Sequence, residues 1–261
     1  PVISGLASTI LVAENQTGVI TVSASDPDND TLTYSLSGTD AASLSISSSG
    51  VITFNTAPDY ETKSSYSITV NVSDATNNTG QGVIINISNV NDNSPVISGL
   101  LTSISVDENQ TAVLTVSASD PDGDSLTYSL SGTDAASLSI SSSGVVTFNS
   151  APDYETKTSY SVTVNVSGGG ETTTQALTIN ITNVDEGAPV ISGLASSISI
   201  DENETAVVTV SASDVDNDEL TYSLTGTDAG SLGISSSGVI TFNSAPDYET
   251  KTSYSITVNV S

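Results

Sequence analysis

The chain has 261 residues, with 30 Asp and Glu against 3 basic residues, no His, and a net charge of −27 at pH 7. A surface of that sign repels nucleic acid and anionic membranes, so no nucleic-acid partner is expected. Cys is absent, so disulfide staples and thiol chemistry are excluded too, and no stretch approaches the roughly 20 apolar residues of a membrane-spanning helix. Such an acidic surface has two readings: a solubilising coat, or a set of sites whose self-repulsion divalent cations would relieve.

PVISGL opens the sequence at Pro1 and returns at Pro95 and Pro189, a constant spacing of 94 residues. The internal copies lie in a longer seam, NVNDNSPVISGL at Asn89–Leu100 and NVDEGAPVISGL at Asn183–Leu194. A fixed period with a proline-marked, acid- and amide-rich seam predicts tandem domains at 1–94, 95–188 and 189–261. Each is long enough for its own core, built from Val, Ile, Leu and Ala with nine Tyr, three Phe and no Trp. The absence of Met and of a signal peptide points to a mature or internal segment of a longer product.

In the first unit, short runs of period two are separated by turn residues. They are Ile10–Val12, then Ile20, Val22 and Ala24, then Leu32, Tyr34 and Leu36, then Leu44–Ile46. Ile52 and Phe54 follow the turn at Ser47–Gly50, Ile68, Val70 and Val72 come next, and Val83, Ile85 and Ile87 close the set. About seven strands, each with one apolar and one Ser/Thr/Asn face, predict an all-β chain of tandem Greek-key β-sandwiches in a linear array. The third unit lacks the counterpart of Asp74–Ser94, because Ser261 stands where Ser73 does. Either the natural chain continues, or another copy donates a strand to the open edge.

Three acidic motifs recur in register with the seam. Glu-Asn stands before the second strand at Glu14, Glu108 and Glu202. Asp-x-Asp follows that strand at Asp26/Asp28, Asp120/Asp122 and Asp214/Asp216. Asp-Tyr-Glu lies in PDYETK at Asp59/Glu61, Asp153/Glu155 and Asp247/Glu249. Each alone suits a turn or a polar strand entry. Together with the seam they suit a hard cation with 6–8 oxygen ligands, calcium rather than magnesium, while zinc and copper lack His and Cys. An EF-hand loop from Asp120 fails, with Ser125 where Gly belongs and Ser131 where Glu belongs.

The combined motifs resemble a cadherin repeat. They run Glu-Asn, Ala-x-Asp-x-Asp, Tyr-Ser-Leu, Ser-Gly-Val-Ile, Asp-Tyr-Glu where animal cadherins have Asp-Arg-Glu, and NDNSP. The texture is similar to the bacterial cadherin-like branch of large surface adhesins and secreted proteins. That resemblance implies calcium between consecutive units. At the first junction the upper unit would offer Glu14, Asp59 and Glu61, the linker Asn91, Asp92 and Asn93, and the lower unit Asp120 and Asp122. At the second the groups are Glu108, Asp153, Glu155, Asp185, Glu186, Asp214 and Asp216. Asp26 and Asp28 at the start, and Glu202, Asp247 and Glu249 at the end, would be half-sites. Asp74 matches a further family ligand, but its counterpart is Gly168, which puts the deepest ion of the first junction in question. Asn89 and Asn183 stand where the linker's first Asp is usual. The tryptophan strand swap of animal cadherins is excluded.

The expected function is therefore an extracellular, cell-surface stalk, adhesin or fibre whose junctions calcium stiffens. The partners would be calcium, neighbouring repeats and, through an open edge strand, other copies. A polysaccharide- or glycan-binding module is the alternative, weakened because Tyr34 and Tyr66 sit at inward strand positions. Catalysis by a pair such as Asp59/Glu61 is disfavoured, since the pair occurs three times without His, Cys or Arg. Asn71, Asn165 and Asn259 lie in glycosylation sequons.

Overall fold

The computed structural model describes residues 1–74 and 76–261. The first repeat comprises β1 (Val2–Ser4), β2 (Thr9–Ala13), β3 (Gly18–Thr21), β4 (Ser23–Ser25), β5 (Thr33–Ser37), β6 (Leu44–Ile46), β7 (Val51–Phe54), β8 (Ser65–Ser73) and β9 (Asn78–Ser88). One layer is the sheet β2-β9-β8-β5, in which β2 runs parallel to β9 from Thr9 beside Ile84 to Ala13 beside Ser88. The other layer is β3-β7-β6 with the short β1–β4 ribbon. The chain crosses between layers so that sheet neighbours are seldom sequence neighbours, which is the expected Greek-key wiring.

Alternation builds the core. Along β8, Ile68, Val70 and Val72 are buried while Ser67, Thr69 and Asn71 take the more open face. Ile68 and Val70 join Val83, Ile85 and Ile87 of β9 and Val12 of β2 against Leu44, Ile52 and Phe54 of the opposite layer. Ile52 is wholly buried, and its truncation to Ala would cost about 2–5 kcal/mol.

The second repeat copies this plan with β10 (Val96–Ser98), β11 (Ser103–Asp107), β12 (Ala112–Thr115), β13 (Ser117–Ser119), β14 (Thr127–Ser131), β15 (Leu138–Ile140), β16 (Val145–Phe148), β17 (Ser159–Gly168) and β18 (Glu171–Thr182). The third has β19 (Val190–Ser192), β20 (Ala206–Thr209), β21 (Ser211–Ser213), β22 (Tyr222–Thr225), β23 (Leu232–Ile234), β24 (Val239–Phe242) and β25 (Thr257–Val260).

Two features go beyond the sequence pattern. The apolar run after Gly18 is broken at Val22, whose N–H donates to Gly50 O at 2.8 Å, and β4 then pairs with β1. A 3-10 turn, Ala41–Ser43, also precedes β6. In the third repeat residues 197–201 occupy the register of β2 but form no strand.

Candidate metal sites between the repeats

Glu14 directly follows β2 and is only 3% exposed. One carboxylate oxygen accepts the Tyr60 N–H at 2.7 Å and the other the Val90 N–H at 2.7 Å. A single side chain thus ties the Asp59–Lys63 loop to the linker. Asn15 comes next at φ +61, a left-handed conformation that Asn tolerates better than most residues. From there its amide donates to Asp92.

The Asp59–Lys63 loop is one turn, closed by the Lys63 N–H on Asp59 O at 2.9 Å. The Thr62 hydroxyl and N–H donate to the Asp59 carboxylate and hold its carboxyl below the ordinary Asp range. Lys63 anchors the loop by bridging Asp40 and lying 4.6 Å over the Tyr66 ring. All three basic side chains of the chain are used this way: Lys157 joins Asp134 and Tyr160, and Lys251 joins Asp228 and Tyr254.

Across the seam, the N–H groups of Asn93 and Asp92 donate to Asp122 at 2.8 and 3.3 Å. Dehydration pushes the Asp122 carboxyl up, but these bonds and the Asn93 amide outweigh it, and the carboxyl lies below its usual value. Glu61 moves the other way. Partial dehydration, then the nearby Glu14 and Asp122 carboxylates, raise its carboxyl above the ordinary Glu value. One oxygen from each of Glu14, Glu61, Asp92 and Asp122 lies within 4.8 Å of the others. Asn15, Asp59, Asn93 and Pro121 help enclose a cavity of about 180 Å³ beside them. Asn91 and Asp120 are engaged elsewhere, the first donating to Gly169 O and the second accepting the Asp122 N–H at 2.9 Å.

At the second junction Glu108, 2% exposed, accepts the N–H groups of Tyr154 and Val184 at 2.8 and 2.9 Å. Glu108, Glu155 and Asp216 converge within 4.8 Å. Asp216 is 7% exposed; one of its oxygens accepts the Glu186 N–H at 2.8 Å, and the other has no hydrogen-bond partner. Glu155 is raised by dehydration and then by Glu108, Asp216 and Asp153. Asp153, Asp185, Glu186 and Asp214 stay outside the cluster: Asp153 holds Thr156, Asp185 accepts the Gly187 N–H at 3.0 Å, Glu186 takes the Asn109 amide, and Asp214 accepts the Asp216 N–H at 2.9 Å.

Glu202, Asp247 and Glu249 form an exposed third group, and Asp26 and Asp74 a fourth with Asp30. Asp28 lies outside it, its N–H donating to Asp26 at 2.9 Å. Asp30 and the side-chain amides of Asn15 and Asn109 are what sequence reasoning passed over. The signal was available, since Asp30, Asp124 and Asp218 recur at the third acid of every Asp-x-Asp-x-Asp loop.

The donor sets consist of oxygen alone, and four carboxylates drawn to one point repel unless a cation lies among them. The buried Asp216 oxygen that no hydrogen bond satisfies is an acceptor that a cation would take up. These residues fit calcium.

Greek-key sandwiches joined through carboxylate-lined seams define cadherin-like tandem domains. The chain belongs to the Bacterial Ig domain family, which matches residues 1–86, 91–180 and 186–261. It is 31% identical to human (Homo sapiens) Cadherin-23 over 199 residues, 72% of this chain and 6% of that protein. It is 29% identical to Protocadherin Fat 4 of Mus musculus over 262 residues, 93% of this chain and 5% of that protein. The chain therefore spans 5–6% of the length of these curated relatives. It superposes on the crystal structure of mouse Cadherin-23 EC22-24 with a TM-score of 0.74 and 27% identity, over 98% of this chain and 90% of that one. Among the described residues no helix is long and apolar enough to cross a membrane.

Proposed function

We propose that the chain is a stretch of an extracellular adhesive stalk, with repeats at 1–94, 95–188 and 189–261, whose angles are set by calcium at the seams. The observation that carries this is the meeting of Glu14 and Glu61 from one repeat, Asp92 from the linker and Asp122 from the next within 4.8 Å. A bound calcium ion supplies two positive charges and takes 6–8 oxygens without strict geometry. Without neutralisation, the four carboxylates push the repeats apart about the linker. Glu14 holds loop and linker in place through backbone bonds in either state, so the ligands stay presented while the inter-repeat angle opens. The second seam works alike through Glu108, Glu155 and Asp216. The likeness to Cadherin-23 and Protocadherin Fat 4 supports the adhesive, extracellular setting, and the proposal contains no catalytic step.

Small-angle scattering and thermal melting in millimolar calcium and in chelator test it. A longer, narrower particle with a higher Tm in calcium is expected, since a ligand that binds only the folded state stabilises by about 2.7 kcal/mol at 100 times its Kd. Identical shape and melting in both buffers would refute it.

A further inference from the structure

We infer that the cation position deepest in the second repeat is held by Asp124, which takes over from the acid that Gly168 replaces; this rests on the calcium reading above. In the first repeat Asp26, Asp30 and Asp74 bring oxygens within 4.8 Å of one another. One period later these positions are Asp120, Asp124 and Gly168.

Asp74 has a second task that Gly168 does not need. It accepts the N–H groups of Thr76 and Asn77 at 2.9 and 2.6 Å and so caps the connection between β8 and β9. In the second repeat β17 and β18 close through Gly169 and Gly170 at φ +57 and +101, with Gly168 paired to Glu171. A two-residue turn with both φ positive closes a hairpin unaided. Losing the acid therefore leaves the turn intact.

The vacated space is occupied. A Cβ on Gly168 would stand 2.9 Å from an Asp120 oxygen, and one on Gly169 2.0 Å from an Asp124 oxygen and 2.2 Å from the Asn91 amide nitrogen. Two carboxylates and a linker amide thus close on the same bare backbone. Those two oxygens, Asp120 Oδ2 and Asp124 Oδ2, are shut off from solvent and have no hydrogen-bond partner. The other Asp120 oxygen is engaged, accepting the N–H groups of Asp122 and Asp124 at 2.9 and 3.4 Å. A role for Asp124 as a turn residue alone would leave its orphaned oxygen unexplained. The Asn91 amide donates to Gly169 O, and turned over it offers its oxygen instead. Two carboxylate oxygens, an amide oxygen and the Gly169 carbonyl form a doubly charged, all-oxygen set suited to calcium.

The test uses the full 261-residue chain, counting bound calcium by equilibrium dialysis and native mass spectrometry. Asp124→Asn should weaken one ion at least tenfold, and Asp124→Ala should lower the count by one, with melting in chelator no lower than wild type. Either variant keeping the wild-type count with every affinity within twofold overturns the inference while leaving junction calcium standing. A wild-type chain that binds no calcium overturns both. Independently of any variant, crystals of the calcium-loaded chain should place an ion against Asp124 Oδ2. Ions at the Glu14 cluster with none there would refute the assignment.

Discussion

Glu108 should matter even where no metal is present. It is 2% exposed and accepts two backbone N–H groups, from Tyr154 in the ligand loop and Val184 in the linker. Hydrogen bonds to a charged acceptor contribute about 1.5–3 kcal/mol each, and truncation leaves buried donors unpaired. Glu108→Ala should therefore destabilise the second repeat by about 3–6 kcal/mol in chelator, a large share of the 5–15 kcal/mol typical of a domain. Glu108→Gln keeps one acceptor and should lose about half as much. Denaturant melts in chelator give the total, and hydrogen exchange localises it, because the Tyr154 and Val184 amides should lose protection first. If Glu108→Ala melts like wild type in chelator and differs only in calcium, the carboxylate serves the metal alone and the bracing argument fails.

Glu61 and Glu155 should show the opposite sign. Their carboxyls are raised by dehydration and by neighbouring carboxylates, so Glu61→Gln should raise melting in chelator and shrink the gain from calcium; a lowered chelator Tm contradicts this. A raised folded-state value gives stability that is full below the unfolded value and lost as pH rises through the folded one. The metal-free chain should thus gain at its seams as pH falls toward the ordinary Glu value, while protons displace calcium, and the Tm gap between calcium and chelator should narrow; a gap that widens as pH falls is the refuting result. Lys157→Met should cost about 1–2 kcal/mol, the sum of an exposed ion pair with Asp134 and a cation–π contact at 4.6 Å to Tyr160, read by urea titration against Lys157→Arg, which should restore most of it. Gly144→Ala should cost at least about 1–2 kcal/mol, because Gly144 has φ +80 and a Cβ would meet Val116 O at 2.5 Å; unchanged melting would mean that the turn relaxes freely.

The long strands were legible because burial there follows a period of two, as Ile68, Val70 and Val72 demonstrate. β1 was not, since three residues hold no period and its partner β4 lies some twenty residues away. The 3-10 turn at Ala41–Ser43 buries none of its residues and so leaves no apolar pattern. At the seams, recurrence in all three repeats exposed Glu14 and Glu61 as a set. It said nothing about the difference between them, one gripping backbone and the other exposed to repulsion, because that depends on which N–H groups the fold leaves unpaired. Asp124 was visible as a residue and rejected as a member of an EF-hand loop. Its bearing on Gly168 needed the hairpin geometry.

The parallel pairing of β2 with β9 has a consequence under mechanical load. A pull along the chain draws β2 by its first residue and β9 by its last, and in a parallel pair those lie at opposite ends of the ladder. The strands are then dragged lengthwise past one another, and the bonds from Thr9 beside Ile84 to Ala13 beside Ser88 bear the force together. Antiparallel terminal strands would instead separate bond by bond, like a zipper. The second repeat has the same clamp between β11 and β18, from Ser103 beside Thr178 to Asp107 beside Thr182. Glu14 and Glu108 sit just past the ends of these clamps and bind the linker backbone there, so tension entering a repeat through the seam at its C-terminal end meets the shear-loaded strands before it reaches the rest of the sandwich.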